Sequence, residues 1–397
     1  MNQFSSIFGQ MLQVFPKSEF YRAVKETQSE KGAKGFTSWG QFVAMLFCQL
    51  GQARSLREIS GGLSSCLGKL KHLGIDAAPS RSTLSYANEK RPWQLYEKVF
   101  YQLLDKCRAI APGKRKFRFK NKLFSLDASV IDLCASLFDW ATFRQTKGAV
   151  KLHLLLDHDG YLPVFAHITE GSVHEITIAK NLSFPKGSIV ACDRGYTDYT
   201  LFARWNKEGV FFVTRQKHNA DYTIVEEKPV PQNRTILKDQ IIMFNGSLSK
   251  KKYPYPLRRI EVWDEEKKER IILLTNHLAF GSTTIAAIYK DRWQIEIFFK
   301  TIKPNLKIKT FVGTSPNALK TQMWTALIAI LLLKYLKFRS SFPWTLSTLI
   351  AMLRYNLFTY RDVCAWIDSP YKTPPLVPVG EKLALPLEYI GQQVRVW

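Results

Sequence analysis

Residues 289–300 read YKDRWQIEIFFK and run directly into TIKPNLKIK at 301–309. One carboxylate, Glu296, stands there among Arg292, Lys300 and Lys303. Tyr289, Arg292, Glu296 and Lys303 lie at offsets 0, 3, 7 and 14. At about 100° per residue they share one helix face within an arc of roughly 60°. A face of Tyr, Arg, Glu and Lys is not a core face. Arg292 and Glu296 are also an ordinary i,i+4 pair, so a solvated, salt-bridged helix explains the stretch equally well when it is taken alone.

Two acids elsewhere tip that balance. Asp127 lies inside FSLDAS (124–129), and Asp193 ends the apolar run IVAC in IVACDRGY (189–196). A carboxylate in or at the end of a buried strand is costly unless it is paired or binds a metal. If the two strands are neighbours, both acids emerge at one end of a sheet, and Glu296 completes the set from a helix packed across that edge. Three carboxylates suit two Mg²⁺ ions, with Mn²⁺ as a substitute. Such hard cations take oxygen ligands and sit about 3.5–4 Å apart for in-line attack on a phosphate. Tyr289, Arg292, Lys300 and Lys303 are then placed to hold DNA phosphates beside the metals. Arg194 and Tyr196, directly after the second acid, are further candidates for DNA contact.

Other polar residues read as structural. Asp132 points away from Asp127 if the strand continues, Asp157 and Asp159 sit at a turn, and Asp198 caps a helix. His153 and His174 fall near element ends and are not assigned as bases. Trp293 and Phe298 read as core packing rather than base stacking.

The chain has 397 residues, 46% hydrophobic and 23% charged, which is globular rather than disordered. Lys and Arg number 57 against 33 Asp and Glu, a net charge of +24. An excess of that size points to a polyanionic partner, and nucleic acid is the usual one. Six scattered cysteines without a C-x-x-C pair fit a reducing compartment and argue against both a disulfide framework and a zinc ribbon. No signal peptide is evident, and the apolar run ALIAILLL (326–333) is too short to span a bilayer. The expected setting is bacterial cytoplasm, associated with the nucleoid, with no membrane.

Residues 1–110 read as helical, with Ser55 and then Ser80 or Ser82 as N-caps. Two short helices, the second carrying Arg81, Lys90 and Arg91, form either a helix-turn-helix-like DNA reader or a solvated bundle face. The basic run APGKRKFRFKNK (111–122) reads as a linker or DNA-tracking segment. From 120 to 216 the order is strand, strand, strand, helix, strand, helix, strand, with a hairpin turning at Asp159–Gly160. Residues 217–283 are strand-rich, 284–365 helical, and 366–397 a Pro-rich tail.

The stretch YKDRWQIEIFFKTIK matches the Y-x2-R-x3-E-x6-K signature of the insertion-sequence-four family of bacterial DDE transposases. LFSLDAS and VACDRGYTDY resemble that family's two aspartate motifs, and KGAVKLHLLLD and FVGTSPNALKTQMWTALIA resemble its flanking segments. The likeness runs from about 120 to 340, and the N-terminal third resembles an accessory domain of some members. The resemblance implies an α/β, RNase H-like core. That core is a mixed five-stranded sheet flanked by helices, interrupted by a β-rich insertion, with Asp127, Asp193 and Glu296 as the triad. The expected activity is cleavage at terminal inverted repeats followed by 3′-OH strand transfer into target DNA, by a homo-oligomer. The alternatives are a nuclease that does not join, or an inactive DNA-binding regulator derived from a transposase.

Overall fold

A computed structural model of the chain describes residues 5–372, apart from 67, 114, 135–137, 139, 141, 145–146, 218–219, 233–234 and 306–310. From residue 373 onward the tail lies outside the described residues.

The first part of the chain folds into α1 (Ile7–Leu12), α2 (Lys17–Thr27), α3 (Ser38–Leu50), α4 (Leu56–Ser64), α5 (Arg81–Lys90) and α6 (Gln94–Ile110). Side-chain caps set several of the starts. Ser55 accepts from the Glu58 N–H at 3.1 Å and Ser80 from the Thr83 N–H at 3.1 Å, so Ser80 rather than Ser82 opens α5. All thirteen residues of α3 are buried, so this helix has no solvent face. Residues 65–80, including a 3₁₀ turn at Leu70–Leu73, separate α4 from α5. A helix-turn-helix joins its two helices by a turn of about 3–4 residues, and these two lack one.

The chain then enters a sheet with β1 (Leu123–Leu133), β2 (Thr142–Arg144), β3 (Lys147–Asp157) and β4 (Leu162–Glu170). It continues through α7 (Glu175–Ala179), β5 (Ile189–Cys192), α8 (Tyr199–Lys207) and β6 (Phe211–Arg215). Asp198 caps α8 by accepting from the Leu201 N–H at 2.9 Å. The next elements are β7 (Tyr222–Glu227), β8 (Ile236–Phe244), α9 (Ser247–Lys252), β9 (Leu257–Asp264) and β10 (Glu269–Thr275). The expected order of elements between 120 and 216 is found, with the three-residue β2 in addition. Strands β4-β3-β1-β5-β6 lie side by side: β3 is antiparallel to β1 and β4, while β5 is parallel to β1 and β6 to β5. β10 then pairs antiparallel with β6, followed by β9, β8 and β7, so the strand-rich 217–283 region extends the same sheet.

Both faces of the central strands are covered, which is why β5 reads as an unbroken apolar run. Val190 and Cys192 pack on the α8 side with Phe202 and Trp205. Ile189 and Ala191 pack on the other side with Ile285 and Ile288 of α10 (Ser282–Asp291). After α10 come α11 (Trp293–Asn305), α12 (Pro316–Arg339), α13 (Leu346–Asn356) and α14 (Val363–Asp368). The apolar run at 326–333 belongs to the 24-residue α12, which is buried almost throughout and packs on α3, α5 and α6. Arg292 separates α10 from α11, so the expected single helix is two, with αR backbone at the junction.

The basic run at 111–122 is not a free linker. Arg115 pairs with Asp159 at 3.0 Å, Lys116 with Asp291 at 2.6 Å, and Lys122 with Asp157 at 3.3 Å and with Asp159. Three of its positive charges are thus matched by acids of the β3–β4 turn and the end of α10.

Candidate active site

Side chains alternate along a strand, so the odd-numbered residues of β1 face α10 and α11. Leu123 lies in the core beneath α10, and Asp127 is within ion-pair reach of Arg292. Parallel pairing of Leu126 with Cys192 brings Asp127, midway along β1, beside Asp193, which directly follows the C-terminal end of β5. Asp132, on the even face, points away.

α11 supplies the third acid. Arg292 Nη2 donates to Glu296 Oε1 at 2.7 Å, and Arg292 Nη1 stands 3.6 Å from Asp127 Oδ2. One buried guanidinium therefore bridges a strand acid and a helix acid. Burial pushes the Asp127 carboxyl up to about 7; the charges of Asp193 and Glu296 add to that push, and Arg292 and the Ala128 N–H oppose it. Asp127 and Glu296 thus meet at the Arg292 guanidinium, in a site where burial disfavours the charged form of Asp127. Asp193 is held in place from both ends. Its Oδ1 accepts from the Gly195 N–H at 2.9 Å, and its carbonyl accepts from Thr214 Oγ1 at 3.0 Å.

The other sequence candidates fall at different distances from this cluster. The Tyr289 ring lies 5.4 Å from the Arg292 guanidinium. Lys303 reaches β1 and donates to the Val130 carbonyl at 2.9 Å, which ties α11 along the strand. Lys300 is exposed, with its ammonium 4.6 Å from the centre of the Trp293 ring. Arg194 is exposed beside the acids, whereas Tyr196 is 1% exposed and its hydroxyl has no partner, so Tyr196 forms the floor of the site and not its surface. On α5, Arg81 and Lys90 are exposed. Arg91 is instead spent inside the fold, donating to the Phe36 carbonyl and, at 3.4 Å, to Gln41. Trp293 is 40% exposed, against the expectation of core packing, while Phe298 is buried as expected.

Two residues near the acids escaped the sequence reading. Arg215 follows from register: Ala191 pairs with Val213, which sets Arg215 alongside Asp193, and its guanidinium lies 5.9 Å from the Tyr289 ring. Tyr289 is therefore held between two guanidinium groups. Glu175 opens α7, and a Cβ placed on Gly195 would meet Glu175 Oε2 at 3.1 Å and Asp193 Oδ1 at 3.0 Å. A larger residue there would push on both carboxylates. An acid at the first position of a helix that follows a strand is the sequence signal that could have found Glu175.

The donors suit a hard divalent cation, being carboxylate oxygens. Among the described residues no three His, Cys, Asp or Glu side chains already converge on a single cation position. In this structure the Arg292 guanidinium stands between Asp127 and Glu296.

A family model described as "Transposase DDE domain" matches residues 118–332. A second, described as "Domain of unknown function (DUF4372)", matches residues 3–76. The protein named "Putative transposase y4zB" from Sinorhizobium fredii (strain NBRC 101917 / NGR234) is 30% identical over 305 residues, which is 76% of this chain and 83% of that protein. The "Probable transposase for insertion sequence element IS5377" from Geobacillus stearothermophilus is 25% identical over 256 residues, 64% of this chain and 67% of that one. The piggyBac transposase in a synaptic complex with hairpin DNA aligns at a TM-score of 0.43 and 8% identity, over 94% of this chain and 84% of that one, a likeness too distant to bear on the site. Since the DDE domain match takes in more than half of the sequence, from ahead of β1 into α12, the chain belongs to the transposase DDE domain family and is a bacterial DDE transposase, an enzyme that acts on DNA.

Proposed function

We propose that Asp127, Asp193 and Glu296 are the catalytic triad of an insertion-sequence transposase that hydrolyses phosphodiesters at its element's inverted-repeat ends. The freed 3′-OH then attacks target DNA. The observation that carries this reading is the parallel β1–β5 register beside Asp127, with Arg292 linking that acid to Glu296. The strand order β4-β3-β1-β5-β6 supports an RNase H-like core, with β7–β10 as the insertion that widens it.

Asp127, Asp193 and Glu296 would hold Mg²⁺ or Mn²⁺, which supplies Lewis-acid stabilisation and lowers the pKa of water at a phosphate. The remaining work falls to this chain's own groups. Arg292 offsets the charge of the carboxylates and stands where negative charge develops on the transferring phosphoryl group. Tyr289, Arg215 and Arg194 flank the acids and orient the DNA backbone. Lys303 holds α11 against β1, so Glu296 keeps its place. Both reaction steps are in-line displacements at phosphorus, and one site serves both. Residues 1–110, with Arg81 and Lys90 exposed on α5, would contact the element ends, and pairing of two ends calls for a homo-oligomer. A protein working on chromosomal DNA would reside with the nucleoid.

The test is cleavage of a plasmid carrying this reading frame with its native flanks, with and without Mg²⁺ or Mn²⁺. Wild type is expected to cut at the flanks only with metal, and Glu296→Gln to lose at least about a thousandfold in rate while still binding DNA. DNA binding by both proteins with cutting by neither would sink the enzymatic reading of this copy and favour a regulator.

A further inference from the structure

A buried chain of polar side chains runs beside the acid cluster and takes no part in the chemistry above. Ser125 Oγ and His158 Nε2 are 2.7 Å apart, and His158 Nδ1 and Asp291 Oδ2 are 2.7 Å apart. Asp291 also receives Lys116 Nζ at 2.6 Å and the Tyr161 hydroxyl at 3.1 Å. These contacts have the order and lengths of a hydrolase triad, but Ser125 is fully buried on the sheet and no substrate can reach it. The chain therefore does something other than attack.

Its three ends belong to the three parts that make the site. Ser125 is two residues before Asp127 on the same face of β1. Asp291 is the last residue of α10, next to Arg292, and α11 with Glu296 begins after that. His158 comes from the β3–β4 turn, and its own N–H donates to the Leu123 carbonyl at 3.0 Å. The placement is not one that local preferences favour. An acid in the last turn of a helix opposes the helix dipole. Tyr161 has φ 52°, in the left-handed region that a tyrosine avoids. Both deviations bring groups onto Asp291. Burial raises the Asp291 carboxyl, and the bonds from His158 and Lys116 more than reverse this, leaving it below the ordinary range. Asp291 at one end and the Lys303–Val130 bond at the other leave α11 little freedom to slide along β1.

We propose that His158 is a positioning residue for phosphoryl transfer: by bridging Ser125 on β1 to Asp291 at the end of α10, it sets where Arg292 and Glu296 stand relative to Asp127. This rests on the site reading given above. Misplacing a catalytic group by about 1 Å can cost about a hundredfold in rate, so the bridge acts on the reaction without touching DNA.

The test uses the full chain and the plasmid assay, comparing wild type, His158→Ala, His158→Gln, Ser125→Ala and Glu296→Gln. Single-turnover rate, DNA affinity, Tm and Mn²⁺ affinity by calorimetry are measured for each. His158→Ala is expected to cleave about ten- to a hundredfold more slowly and to bind Mn²⁺ about tenfold more weakly, with DNA affinity within about twofold of wild type. His158→Gln, whose amide can still reach one of the two partners, recovers part of both losses. Wild-type rate and Mn²⁺ affinity in His158→Ala overturn the proposal, as does a rate that falls only in step with folded fraction or DNA affinity. If His158→Ala does not fold, Ser125→Ala decides, because it removes a single hydroxyl from the bridge: unchanged rate and Mn²⁺ affinity overturn the proposal, and lower values support it. A wild type that does not cut, or a Glu296→Gln that does, overturns the site reading itself and this inference with it.

Discussion

Asp127 is where the charge of the site is least settled. Its carboxyl, pushed up to about 7, is charged in the unfolded chain at pH values where the folded protein resists that charge. The sign follows from the raised folded value. The protonated form's stability is fully present below about pH 4, and it is lost as pH rises through about 7. Asp127→Asn has no such loss, so without divalent metal it is expected to be more stable than wild type by on the order of 4 kcal/mol at pH 8. That gain should fall to roughly a third by pH 5 and vanish below about pH 3. Urea denaturation in EDTA across that range measures it, and equal stability at pH 8 would mean that Arg292 already offsets the charge. The side-by-side placement of Asp127 and Asp193 was legible, because each ends or interrupts an apolar run where an unpaired acid is costly. The tight hold of Arg292 on the acids was not, since an i,i+4 spacing looks the same on a solvated helix. Trp293 misled for a related reason. Helical spacing says which residues share a face, and only packing says whether that face is covered.

At the level of elements, α5 separates two kinds of positive charge that the sequence shows alike. Arg81 lies exposed at its start, while Arg91, just past its end, is hydrogen-bonded to Phe36 and Gln41. Each phosphate contact contributes about 0.9 to the slope of log K against log salt. Arg81→Ala should therefore lower the slope by about 1 and leave Tm unchanged, whereas Arg91→Ala should lower Tm and leave the slope as it was. Binding titrations between about 50 and 200 mM salt, with a melt of each variant, decide it. A slope unmoved by Arg81→Ala takes α5 off the DNA-contacting surface. The strands were readable because alternating or continuous apolar runs ended at turn residues. The break at Arg292 was not readable, because no Gly or Pro marks it. Its reason is tertiary: Asp291 is held down toward Ser125 through His158, while α11 follows β1. The basic run at 111–122 likewise hides its role, because its partners Asp157, Asp159 and Asp291 are distant in sequence.

For the whole molecule, the net charge of +24 pointed to nucleic acid, and the DDE family match agrees with that. Composition could not show how the helical first part joins the sheet. α3 has every residue buried, and α12 is its main lid, almost 280 positions later. No local periodicity reports a contact at that range. Gly160 shows the same economy at a smaller scale: its φ of 78° and the Phe338 ring, which would lie 3.1 Å from any Cβ there, leave room for glycine alone, and so α12 also braces the turn that carries His158. The dependence of α3 on α12 bears on how the protein is made. At about 5–20 residues per second, α3 waits roughly 15–55 s on the ribosome before α12 is even synthesised. During that time a helix with no polar side is exposed to chaperones and to other chains. A gene copy interrupted ahead of codon 316 should therefore yield an insoluble product, cleared by proteases, and not a soluble fragment that competes for element ends. Fractionating cells that express residues 1–300 would show this directly, and a soluble, DNA-binding fragment would refute it.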